Sequence, residues 1–106
     1  MDVQVKFISK SAVLVRAFIY DDDGELTDPT TSIKVTIVNP DGVKKVDAVL
    51  MTKNTDYTKG VYDYIYRTDA DSVEGNWLGE VWVVDGSGAD ATNSPGAFSF
   101  EVKKGL

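Results

Sequence analysis

The residues best suited to chemistry stand together in Tyr20–Thr31, YDDDGELTDPTT. Asp21, Asp22, Asp23, Glu25 and Asp28 gather carboxylates around Gly24. Calcium takes roughly six to eight oxygen ligands and favours closely spaced carboxylates. An EF-hand loop needs acids at its first, third and fifth positions, glycine at the sixth and a bidentate glutamate at the twelfth. Counted from Asp21, the acids Asp23 and Glu25 keep that alternation, but Gly24 stands fourth and Ser32 twelfth. The EF-hand reading therefore fails. A site made by converging loops would add Asp56, Asp85 and Asp90, which follow other strands and fall at the same end of an alternating sandwich. Against it stands the ordinary preference of Asp and Gly for turns, where carboxylates also keep loops solvated. The turn reading is favoured, and no metal or other cofactor is expected. Asp69-Ala70-Asp71 forms a D-x-D pair without a third partner, and it too reads as solvated loop.

The rest of the inventory narrows the function classes. The 106 residues include no histidine and no cysteine. Without them there is no Ser-His-Asp or Cys-His machinery, no disulfide and no zinc-thiolate site. Paired carboxylates can hydrolyse glycosides, but a chain this small offers no deep cleft for them. Catalysis is not expected. The net charge is −6, and residues 68 to 102 contain no Lys or Arg. Such a surface repels phosphate backbones and anionic lipid, so neither nucleic acid nor a membrane is an expected partner. No segment has the length and apolarity of a spanning helix, and MDVQVKFISK lacks a secretory signal. If Met1 is the native start, a cytoplasmic or virion location follows; the compartment is otherwise open.

The elements that would position these residues are short strands. Val3–Ile8, Ala12–Tyr20, Ser32–Val38, Val43–Lys53, Val61–Arg67, Asn76–Asp85 and Ala97–Lys103 are rich in β-branched and aromatic residues. Asn39-Pro40-Asp41-Gly42 and the Gly86–Gly96 stretch punctuate them. Val43–Lys53 reads as one bent strand or two short ones. No helical period is sustained, no repeat appears, and residues 1–106 form a single domain. Strands turn alternate side chains to opposite faces. The inward sets are Val13, Val15, Ala17 and Ile19; Ile33, Val35 and Ile37; Trp77, Val81 and Val83 around Gly79; and Phe98, Phe100 and Val102. Tyr62, Tyr64 and Tyr66 also point inward, with hydroxyls at the sheet margins. The outward set of NWLGEVWVVD is Leu78, Glu80, Trp82 and Val84, beside Thr36 and Val38. On the other outer face, Leu14, Phe18 and Tyr20 lie near Ile65, and Arg16 can pair with Asp63.

The run VLVRAFIYDDDGELTDPTTSIKVTIVNPDG, then GVYDYIY, GNW-x4-WVVDG and FSFEV, resembles immunoglobulin-like β-sandwich modules. The resemblance covers roughly residues 10 to 103 and is strongest to modules of bacteriophage and prophage structural proteins and of bacterial and archaeal surface proteins. It implies an all-β, immunoglobulin-like sandwich of about seven antiparallel strands, without the antibody Cys-Trp-Cys signature. It supplies no catalytic residues. The function expected is that of a non-catalytic structural or interaction module, a phage or prophage virion component acting on a protein partner or on itself. Leu78, Trp82 and Val84 are the candidate interface, because a cluster of apolar residues with Trp is the usual centre of one. Intramolecular cover by a loop or terminal strand is the competing explanation. The alternative function is a carbohydrate-binding or adhesive module of a cell-surface protein, using Trp82 and Tyr57.

Overall fold

The computed structural model describes residues 2–9, 12–67, 74–86 and 92–102. These residues form eight strands: β1 (Asp2–Ser9), β2 (Ala12–Tyr20), β3 (Ser32–Val38), β4 (Lys44–Leu50), β5 (Thr52–Lys53), β6 (Val61–Arg67), β7 (Gly75–Asp85) and β8 (Thr92–Val102). They build two four-stranded antiparallel sheets, β1-β2-β6-β5 and β4-β3-β7-β8. We call them the first and second sheet. The protein is an all-β single compact domain, a β-sandwich.

Alternation explains the layering. Val13, Val15, Ala17 and Ile19 from β2 face Ile33, Val35 and Ile37 from β3 and Trp77, Val81 and Val83 from β7, all buried. Each such apolar side chain contributes about 1.5–3 kcal/mol on leaving water. Trp77 lies between Tyr66, at 5.6 Å between ring centroids, and Phe100, at 5.7 Å. Phe98 stacks 6.3 Å from Phe100, and its ring fills the space that a side chain at position 79 would take. A Cβ on Gly79 would stand 2.0 Å from Phe98 Cζ, so the glycine is a packing requirement of the aromatic layer.

One open reading closes and one strand boundary moves. Val43–Lys53 is two strands in different sheets: β4 pairs with β3, whereas β5 pairs with β6. The crossing occurs at Met51, which is buried and donates its N–H to Ile33 O at 3.1 Å. The last strand begins at Thr92, five residues before the predicted Ala97, because pairing with β7 carries the chain through Ser94-Pro95-Gly96. β8 is the outer strand of its sheet, where a proline lacking an N–H is tolerated. Val61 is fully buried although alternation assigns it to the outer side with Asp63 and Ile65. It heads its strand, where Asn54 N–H binds its carbonyl and the 54–60 loop lies alongside.

Candidate functional site

Two regions carry the residues singled out in the sequence: the loop end of the sandwich and the outer face of the second sheet. At the loop end, Asp21 holds its own turn. Its Oδ1 accepts the N–H groups of Asp23 at 2.9 Å and Glu25 at 3.0 Å, while Tyr20 and Leu26 pair across the turn. This is the side-chain-to-backbone bond for which aspartate is favoured in turns.

The loops do converge, as alternation requires, but their carboxylates go to separate partners. The Asp28 carboxylate accepts from Lys53 Nζ at 2.7 Å, Gly60 N–H at 2.7 Å and Tyr62 Oη at 3.1 Å. Burial pushes the Asp28 carboxyl up, but these three donors outweigh it and the net direction is down. Gly60 has φ 83°, and a Cβ there would stand 2.8 Å from both Leu26 Cβ and Thr27 N, so only glycine brings its N–H to Asp28 without strain. The Asp85 carboxylate accepts the N–H and hydroxyl of Thr30, each at 2.8 Å. Those bonds lower its pKa. Thr31 adds a hydroxyl bond to Gly86 O. Asp56 donates its backbone N–H to Asn54 Oδ1 at 2.9 Å. Among the described residues no three acids, histidines or cysteines gather as a metal site. Asp90 and the Asp69-Ala70-Asp71 pair lie outside the described residues.

The outer face of the first sheet is partly occupied. Arg16 and Asp63 are cross-strand neighbours and form a forked pair, Nε to Oδ1 at 2.8 Å and a second guanidinium nitrogen to Oδ2 at 3.2 Å. That hydrogen bond raises the Arg16 pKa further. Asn54 Nδ2 also donates to Asp63 at 3.0 Å. Tyr57, from the 54–60 loop, meets Phe18 edge-on at 6.0 Å.

The outer face of the second sheet is different. Register places Val38 beside Leu78, Thr36 beside Glu80, Lys34 beside Trp82 and Ser32 beside Val84. Leu78 is 61% exposed and Trp82 40%, while Val84 is half-buried where Thr31 N–H reaches its carbonyl. An open depression of about 480 Å³ runs over Thr36, Val38, Lys44, Leu78, Gly79 and Ala97. Trp82 and Tyr57 belong to opposite outer faces, so they do not make the single aromatic platform a sugar ring would stack on. Lys34 was not singled out in the sequence, although the alternation S-I-K-V-T-I-V already puts it on the face of Thr36 and Val38.

The β4 edge of this sheet is irregular. Val35 pairs with Val49, Ile37 with Val46 and Val38 with Lys44, so β4 carries two extra residues. Ala48 adopts φ 50° there and donates its N–H to Thr36 Oγ1 at 3.0 Å. Such a bulge spoils the edge as a template for a further strand.

The class defined by this architecture is the antiparallel β-sandwich of two packed four-stranded sheets. Comparison with models of protein families, with curated proteins and with solved structures returns no match.

Proposed function

We propose that this chain is a non-catalytic structural or interaction module of immunoglobulin-like build, a component of a phage or prophage virion, and that it works by burying the outer face of the second sheet against a protein. The observation that carries the reading is the exposure of Leu78 and Trp82, at 61% and 40%, on one outward row of β7, with Glu80 between them and Val38 beside Leu78. Clusters of this kind form interface centres, and tryptophan is enriched among the residues that dominate binding. The immunoglobulin-like part is supported by strand order. An A-B-E-D sheet over a C-F-G sheet is the constant-type layout, and β1-β2-β6-β5 over β3-β7-β8 follows it, with β4 as an added edge strand. The virion part rests on the resemblance of the strand and turn pattern. The non-catalytic part rests on the absence of His and Cys from the chain and on carboxylates held by structural hydrogen bonds.

The test is sedimentation and native pull-down of the wild type and Trp82→Glu, together with mass spectrometry of purified virions. Self-association or specific capture that Trp82→Glu abolishes supports the contact face. A monomeric wild type that captures nothing overturns it, and purified particles without the chain overturn the virion assignment.

A further inference from the structure

We infer that the outer face of the second sheet docks on a second copy of itself through a two-fold axis parallel to its strands. This inference rests on reading that face as an interface and names its partner. Charge is divided across the face. Lys34 and Lys44 lie on β3 and β4, whereas Glu80 and Glu101 lie on β7 and β8. Lys34 and Glu80 sit diagonally at its centre, Lys34 beside Trp82 and Glu80 beside Thr36. Both are exposed, and among the described residues neither has an ion-pair partner. Lys44 has only an exposed contact with Asp47 at 3.9 Å, of the kind that contributes little.

Face-to-face sheets can be related by a two-fold axis along the strands or across them. An axis across the strands puts β3 over β3 and β7 over β7, so cations face the cationic half and anions the anionic half. An axis along the strands puts β3 of one copy over β7 of the other. Lys34 then lands on Trp82 of the second copy, and Glu80 of that copy lands over Thr36, one outward position along from Lys34 and about 7 Å away at the backbone; the reverse contacts are made at the same time. A lysine over an indole face is attractive, and a carboxylate beside it completes the pair. Val38 lands on Leu78, which closes an apolar centre. Packed sheets cross at roughly 30°, which moves positions near the axis little. The whole chain carries −6; Lys34, Lys44, Glu80 and Glu101 balance one another, Asp47 stands beside Lys44 at the β4 edge, and salt screens charges beyond about 8 Å.

Four strands about 4.8 Å apart over about six residues cover roughly 400 Å² per copy. A standard interface buries about 800 Å² per partner, so the dimer should be weak and exchange with monomer. Sedimentation velocity from about 1 µM to about 1 mM reads that exchange. Lys34→Glu and Glu80→Lys should each weaken association about tenfold or more. Mixing the two variants should restore it, since each then meets an opposite charge. Circular dichroism confirms that both variants fold. A wild type that stays monomeric, or a dimer that neither reversal weakens, overturns the two-fold arrangement. A dimer lost in Trp82→Glu but indifferent to both reversals overturns this arrangement alone. A dimer indifferent to Trp82→Glu as well overturns the interface reading with it.

Discussion

Asp28 shows how one acid from a suspected calcium loop becomes a structural clasp. Its carboxylate ties the 21–31 loop to Lys53 in β5, to the Gly60 turn and to Tyr62 in β6. Carboxylates ordinarily titrate near pH 4, and Asp28 and Asp85 are held below their usual value. A lowered folded-state pKa gives stability that is complete above the ordinary value and is lost as pH falls through the lowered one. Urea midpoints should therefore drop steeply below about pH 4. Asp28→Asn should cost about 1 kcal/mol at pH 7 and flatten that drop, since the Lys53 pair is half-exposed and worth little. Equal acid slopes for both proteins would sink the idea. Tyr62 moves the other way: burial, then the hydrogen bond to Asp28, push it up to about 12. Its raised value favours the neutral phenol, so its contribution is full below about pH 10 and vanishes as pH rises through about 12. Tyrosinate absorbance should lose a step near pH 12 in Tyr62→Phe.

At the scale of the strands, Gly79 gives the sharpest expectation. Its missing side chain is replaced by the Phe98 ring, with three ring carbons within 2.5 Å of where a Cβ would stand. Gly79→Ala should destabilise by about 3 kcal/mol, at the upper end for overpacking. A Phe98→Leu change in the same chain should recover part of the loss, measured by chemical denaturation. Gly96→Ala should cost less, because its Cβ meets the Val3 side chain at 2.9 Å, where a methyl group can turn away. This aromatic layer was largely legible in the sequence. Alternation placed Val13 to Ile19, Ile33 to Ile37, and Trp77, Val81 and Val83 inward, and they are buried. The same alternation set Arg16 opposite Asp63 and put Tyr62 with its hydroxyl at the margin. What escaped was non-local. Nothing in VKKVDAVLMTK says that the chain changes sheets at Met51, because a buried methionine looks the same in either. Pro95 and Gly96 are turn residues by local rule, and only the partner strand β7 makes them part of β8. The Asp28 clasp joins positions 25, 32 and 34 residues apart in sequence, so no local motif announces it.

For the whole molecule, the loop end should be indifferent to metal. Its carboxylates are distributed among N–H, hydroxyl and ammonium donors. The melting temperature should not change between excess calcium and a chelator, and a rise of several degrees with calcium would restore the metal reading. The strand directions carry a different consequence. β1 begins at the clasped end, with Asp2 opposite Tyr20, whereas β8 finishes at the far end, with Val102 opposite Gly75. A chain held at both ends would thus be pulled along the strand axis. Tension would slide β1 past β2 and β8 past β7, straining all eight pairs of one and all eleven of the other together rather than one after another. The sandwich is built to resist stretching end to end far better than peeling from the side.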